Sequence, residues 1–140
     1  MELGTLMELL EELNAVLARL SEDAERGVPL LVEGRSDIKA LRELGINGCF
    51  IAVKANRKPL PDLALDICQM ASEAIILLDF DSSGREDAMR LACELERLGV
   101  KADLGYWRQL RALVGSFTKD IEGLPSFIET LMRKLGLRHG

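Results

Sequence analysis

The sequence has 140 residues, which at roughly 100 to 200 residues per domain suits one compact domain. Hydrophobic residues make up 48% and charged residues 29%, a balance that excludes a disordered or fibrous chain. The net charge of −5 is uneven: residues 1–25 hold seven acids against one base, Arg19, so the rest, with 17 bases and 16 acids, is nearly neutral and does not exclude a polyanionic ligand.

From Leu3, the positions Leu3, Leu6, Leu10, Leu13, Leu17 and Leu20 step by three and four, widened by Leu9 and Val16. That spacing predicts an amphipathic helix of about five turns, ending between Ser21 and Gly27 ahead of Pro29. The stripe is too short for a strong coiled-coil seam, so packing on its own domain is the favoured reading and a two-chain seam the alternative. Beyond it, short aliphatic runs alternate with helical stretches. The runs are Val28 to Glu33, Cys49 to Val53, Ala74 to Asp81 and a weaker Lys101 to Leu104. The helical stretches are about Asp37 to Leu44, Leu60 to Ala71, Gly84 to Leu98, Tyr106 to Val114 and Pro125 to Leu135. Apolar strands alternating with amphipathic helices imply an α/β fold of three layers, with a parallel sheet of about four strands covered on both faces. Residues 1–27 then form a leading helix and linker, and residues 28–140 the α/β domain.

No apolar run approaches the ~18 residues of a bilayer-spanning helix, and the amino end is acidic, so neither a membrane span nor a signal peptide is expected and a cytoplasmic location is. Cys49, Cys68 and Cys93 are far apart, in apolar runs and without a Cys-x-x-Cys pair, and read as reduced core residues. The single histidine, His139, stands next to the last residue, which excludes histidine triads and multi-histidine metal sites.

In open parallel sheets, ligands gather beyond the carboxyl ends of the strands. Here the first strand ends in Glu33-Gly34-Arg35-Ser36-Asp37, the second in Lys54-Ala55-Asn56-Arg57-Lys58 and the third in Asp79-Phe80-Asp81-Ser82-Ser83-Gly84. In an extended strand Asp79 and Asp81 project to one side about 7 Å apart, with Phe80 turned into packing. Two carboxylates so close call for a cation, and magnesium, a hard ion with oxygen ligands, is the natural guest. Glu33 is a third ligand or a general base, and Gly34 lets the backbone turn or approach a ligand. Asp37 either caps the next helix or binds metal. Ser83 to Glu86 fits the Ser-x-x-Glu capping box, with Gly84 serving the loop-to-helix geometry.

Glu33-Gly34-x-x-Asp37 after the first strand and Asp79-x-Asp81 after a later one together resemble the Toprim (topoisomerase–primase) domain, over about Val28 to Gly99. The resemblance implies a small Rossmann-like fold in which Glu33 is the catalytic glutamate and Asp79 and Asp81 are metal-binding aspartates. Gly34 and Asp37 fill the remaining marked positions. With no room for the further modules of topoisomerases or bacterial primases, the chain is most similar to small ribonucleases that mature ribosomal RNA and to other stand-alone Toprim proteins.

The expected activity is nucleic-acid phosphodiester chemistry, most simply hydrolysis by a small nuclease acting on RNA or DNA, with magnesium, or manganese in its stead, held by Glu33, Asp79 and Asp81. Lys54, Arg57 and Lys58, with Arg35 and Arg85 beside the motifs, are the expected phosphate grip, and Arg108, Arg111 and Lys119 further candidates. The acidic leading helix would face away from nucleic acid, or bind a protein partner or a second copy of the chain. Tyr106 and Trp107 read as an aromatic pair anchoring a helix, with a covalent tyrosine or a base-stacking platform as the alternative. The main rival is a non-catalytic, metal-dependent module that binds nucleic acid or protein. A haloacid-dehalogenase-type phosphatase fits less well because its Asp-x-Asp closes the first strand, and neither Gly-x-Gly-x-x-Gly nor a P-loop follows strand one.

Overall fold

The computed structural model describes residues 2–137; Met1 and residues 138–140, His139 among them, lie outside the described residues. Four parallel strands, β1 (Leu30–Val32), β2 (Phe50–Ala52), β3 (Glu73–Leu77) and β4 (Lys101–Asp103), pair in the order β2-β1-β3-β4. In register, Val32 lies beside Ala52 on one side and Leu77 on the other, and Glu73 beside Lys101. Among the described residues six α-helices accompany them: α1 (Leu3–Glu25), α2 (Arg35–Glu43), α3 (Leu60–Met70), α4 (Ser82–Arg97), α5 (Gly105–Val114) and α6 (Leu124–Lys134).

The alternation of side chains along the central strands builds two cores. Leu30, Val32, Ile75 and Leu77 face one layer, where they meet α1, α2, α5 and α6. Leu31, Ala74, Ile76 and Leu78 face the other, filled by Leu63, Ala64 and Ile67 of α3 and Ala88, Leu91 and Leu95 of α4. Burial on both faces is why β1 and β3 read as unbroken aliphatic runs.

The stripe of α1 lies in the first core: Leu6, Leu10, Leu13, Val16, Leu17 and Leu20 are all buried. At ~1.5–3 kcal/mol per fully buried aliphatic side chain, the gross contribution is on the order of 10 kcal/mol, the size of a whole domain's net stability. At its carboxyl end Asp23 accepts the hydroxyl hydrogen of Tyr106 and pairs with Arg26, and Arg19 donates to Gln109 at 2.8 Å, tying α1 to α5. Among the described residues no helix is long and apolar enough to cross a membrane.

Two expectations need correction. Cys49 and Cys93 are exposed and only Cys68 is partly buried, because Cys49 precedes β2 in a loop and Cys93 is on the outward side of α4. The third strand ends at Leu77, where its pairing with β1 ends, so Asp79, Phe80 and Asp81 lie beyond the ladder and strand alternation does not govern them.

Candidate metal and phosphate site

The chain leaves β1 toward β2 and leaves β3 in the opposite direction toward β4, so the order of strands reverses between β1 and β3. A crevice opens at such a reversal, beyond the carboxyl ends of the two strands. Glu33 borders it as the first residue after β1, and Asp79 as the second after β3. One Glu33 oxygen, Oε2, accepts the Asp79 backbone N–H at 3.2 Å; the other, Oε1, lies 2.9 Å from Lys54 Nζ. Glu33 thus links the segments that follow β1, β2 and β3.

Asp81 is the N-cap of α4: its Oδ1 accepts the Gly84 N–H at 2.8 Å. The Ser83–Glu86 capping box is therefore not formed. Ser83 lies inside the first turn, since the aspartate two residues earlier takes the cap with extended backbone and an acidic side chain at the helix amino end. Gly84 is needed for close packing, because a Cβ there would sit 2.2 Å from the Asp79 carbonyl oxygen. Phe80 is buried, as expected, and its N–H donates to the Lys119 carbonyl at 2.7 Å. Trp107, also buried, donates its indole N–H to the Leu78 carbonyl at 2.9 Å. The segment carrying Asp79 is thus held by α4, by the loop after α5 and by an indole.

Tyr106 is buried with its hydroxyl on Asp23, and burial followed by that bond raises its pKa, so neither a nucleophile nor a stacking platform is on offer there. Gly34, the N-cap of α2, has extended backbone that any residue adopts, so no turn requires a glycine at this position.

Asp37 is the one buried charged side chain among the described residues, and both its oxygens are occupied: Oδ2 accepts the Gly34 N–H and Oδ1 the Glu122 N–H, each at 2.9 Å. Capping is the reading that the geometry favours, extended by a tie to the loop before α6. Burial pushes its carboxyl up, against the opposing pull of the two N–H groups. Asp79 is pushed up to about 7, by burial first and then by the charges of Glu33, Asp37, Asp120 and Asp81. Asp120, in the loop between α5 and α6, is a neighbour that the motifs do not reveal; its Oδ1 accepts the Gly123 N–H at 2.8 Å.

Lys54 opens a short 3-10 turn, Lys54–Asn56, after β2, closed by the Asn56 side-chain amide on the Ala52 carbonyl at 2.8 Å. Arg57 follows with φ of 54°, a left-handed conformation uncommon for arginine, and is exposed. Lys58 pairs with Asp66 of α3. Arg35 and Arg85 are exposed in the first turns of α2 and α4 and form no ion pair among the described residues.

The oxygens of Glu33, Asp79 and Asp81 are the hard donors that a divalent cation of the magnesium type takes, and burial together with the neighbouring acids, which push the Asp79 carboxyl up, is the setting that such an ion relieves. The residues therefore fit a metal, though not as a ready-made cage: among the described residues no three acidic, histidine or cysteine side chains converge to metal-holding distance. Lys54 supplies the counter-charge to Glu33, and Asp81 faces the helix amino end.

Residues 27–104 match the Toprim domain family, and both motif acids of the strand ends fall inside that span. The chain belongs to the Toprim family. It is 32% identical to a UPF0292 protein of Methanosarcina barkeri, over 91% of this chain and 87% of that one. A UPF0292 protein of Pyrococcus horikoshii is 38% identical over 74% of each. A solved structure of a putative protein from Aquifex aeolicus has the same fold, with a TM-score of 0.65 at 24% identity, covering 79% of this chain and 95% of that one. Membership associates this Toprim chain with divalent metals and with nucleic acid. Glu33, Asp37, Asp79 and Asp81 thus lie within the matched Toprim span, whereas α1 and Trp107 lie outside it and pack against it.

Proposed function

We propose that this Toprim chain is a small metal-dependent nuclease that hydrolyses phosphodiester bonds in RNA or DNA. The observation that carries the reading is the juxtaposition of Glu33 and Asp79 across the sheet's reversal point, with Oε2 of one on the backbone N–H of the other and the Asp79 carboxyl pushed up to about 7 by burial and then by the surrounding acids. Glu33, Asp79 and Asp81 would hold the ion, magnesium or manganese. When bound, such an ion polarises a phosphodiester oxygen and lowers the pKa of a coordinated water.

The chain's own residues do the rest. Glu33, half-buried and fixed between Lys54 and the Asp79 N–H, is the candidate to accept a proton from the attacking water. Lys54, on a flexible and largely exposed stem, would be able to turn from Glu33 to a phosphate oxygen of the substrate. Arg35, Arg57 and Arg85, exposed in the segments that follow β1, β2 and β3, would supply further cations for phosphate, whereas Lys58 is engaged by Asp66. Gly34, Asp37 and Gly84 shape and brace the loops, with Ser83 exposed in the first turn of α4.

A second reading, a non-catalytic nucleic-acid or protein binding module, is favoured by one observation: the Lys54–Glu33 pair already neutralises the glutamate, as a purely structural ion pair would. Incubation with labelled RNA and DNA pools in magnesium or manganese separates the two. Specific products from the wild type and none from Glu33→Gln are expected; binding without cleavage under either ion supports the module instead.

A further inference from the structure

Resting on the nuclease reading, the outer face of α2 together with edge strand β2 offers a surface beyond the crevice. Arg35, Lys39 and Arg42 recur at i, i+4 and i+7, the spacing that aligns side chains on one helical face. All three are exposed, and none forms an ion pair among the described residues. They line one open groove of about 600 Å³ with Ile38, Glu43 and Phe50 of β2. Arg42 lies over the Phe50 ring, 5.4 Å from its centroid, which pre-orients the guanidinium at the groove. The only acid in the lining, Glu43, is at the far end from the crevice; Asp37 on the same helix is turned inward and satisfied by two N–H groups.

The groove is joined to the candidate site through the chain. Arg35 is two residues after Glu33, and β2 runs from Phe50 through Val53 into the turn that opens with Lys54 and is followed by Arg57. From Arg35 to Arg42 the helix rises about 10 Å, at 1.5 Å per residue. Successive phosphates of one strand advance about 3.4 Å along a duplex, so that length spans about three phosphate steps, a repeat that three cations can follow. Three other helices lack this run of three cations: α1 with its N-cap presents six acids, Glu2, Glu8, Glu11, Glu12, Glu22 and Glu25, α4 interleaves Arg85, Arg90 and Arg97 with Glu86, Asp87, Glu94 and Glu96, and α5 carries only Arg108 and Arg111.

We propose that the α2–β2 face, through Arg35, Lys39 and Arg42, is a track for the sugar-phosphate backbone of the nucleic acid and leads one strand away from the crevice along the edge of the sheet. The contacts are to phosphate, so they set position and direction and carry no base preference.

Fluorescence anisotropy with labelled RNA and DNA of about 20 nucleotides, titrated between about 50 and 200 mM salt, tests it. The double variant Lys39→Glu with Arg42→Glu is expected to bind at least tenfold more weakly, and Lys39→Gln with Arg42→Gln to flatten the log–log salt slope by about 1.4 to 1.8, the amount for two phosphate contacts. A control pair on α6, Arg133→Glu with Lys134→Glu, carries the same change in net charge and is expected to change affinity less than about twofold. Magnesium affinity, measured by calorimetry without nucleic acid, should match the wild type in all variants. Wild-type affinity and slope in the α2 variants, or an equal loss in the α6 control, overturns the track and leaves the nuclease reading standing. Failure of the wild type to bind any of the polynucleotides overturns both.

Discussion

Lys54 Nζ lies 2.9 Å from Glu33 Oε1 while Glu33 Oε2 accepts the Asp79 N–H, so a single carboxylate joins the loops that follow β1, β2 and β3. The lysine is 60% exposed on its side chain and the glutamate 13%, which makes the pair asymmetric: the acid is fixed and the base is free to move. An ion pair with one solvated partner contributes about 0–1 kcal/mol, little enough for a divalent cation to displace. Lys54→Gln should therefore leave the melting temperature nearly unchanged and tighten magnesium binding by about three- to tenfold, because a competing cation has gone. Calorimetric titration of the metal-free protein checks this. Weaker magnesium binding in the variant would mean that Lys54 orients Glu33 for the ion rather than competing with it.

Asp79 supplies a pH signature. Its folded pKa of about 7 exceeds the ordinary value for an aspartate, about 3.9, so folding takes up a proton between those limits. The stabilising contribution of the protonated form is complete below about pH 4 and lost as pH rises through about 7. Asp79→Asn, which cannot ionise, should be more stable than the wild type at pH 8 by about 1–2 kcal/mol, after allowance for the solvated part of the site. The difference should vanish near pH 4. Saturating magnesium should shrink the difference at pH 8, since the ion stabilises only the wild type. Thermal denaturation across pH, with and without magnesium, measures both effects; a variant less stable than the wild type at pH 8 would contradict the repulsion inferred at this strand end.

What the sequence revealed of the site follows from range. Glu33 and Asp79 close aliphatic runs that are buried on both sides, and a polar residue ending such a run is conspicuous in one dimension. Asp81 is legible as a carboxylate, and one acid of the pair as a cap only by way of alternative, because its conformation depends on the ladder stopping at Leu77, and ladder length is decided by partner strands far away in the chain. Trp107 on the Leu78 carbonyl and Asp37 on the Glu122 N–H span 29 and 85 residues, and no local pattern encodes such contacts. Asp120 escaped for the same reason. Cys49 and Cys93 were misread because an apolar neighbourhood in sequence does not fix which way one side chain on a loop or helix face points.

Gly84 provides a purely steric test of the Asp79 segment. A methyl group at this position would lie 2.2 Å from the Asp79 carbonyl oxygen and 2.7 Å from its carbon, both backbone atoms that cannot swing aside. Gly84→Ala should therefore cost about 2–4 kcal/mol by chemical denaturation, despite the usual gain from replacing glycine in a helix. Gly4→Ala, in the first turn of α1 where nothing lies within 4 Å, should be neutral or stabilising by up to about 1 kcal/mol. Amide exchange at Asp79 and Phe80 should accelerate in the first variant and not in the second.

Asp37 separates a structural carboxylate from a metal ligand. Both oxygens accept backbone N–H groups, one at the start of α2 and one at Glu122, and the side chain is 4% exposed. Asp37→Ala strands two N–H donors at a cost of about 1–3 kcal/mol each, whereas Asp37→Asn keeps one acceptor and turns an amide N–H toward the other donor. Stability should therefore fall in the order wild type, Asn, Ala, with the alanine variant down by about 2–4 kcal/mol and amide exchange faster at Gly34 and Glu122 in both. Magnesium affinity of the folded variants, measured at low temperature where they remain native, should stay within about threefold of the wild type, a difference under 1 kcal/mol. A loss of metal binding larger than the loss of stability would instead bring Asp37 into the ion's coordination shell, and the bonds to Gly34 and Glu122 would then have to open when the ion binds.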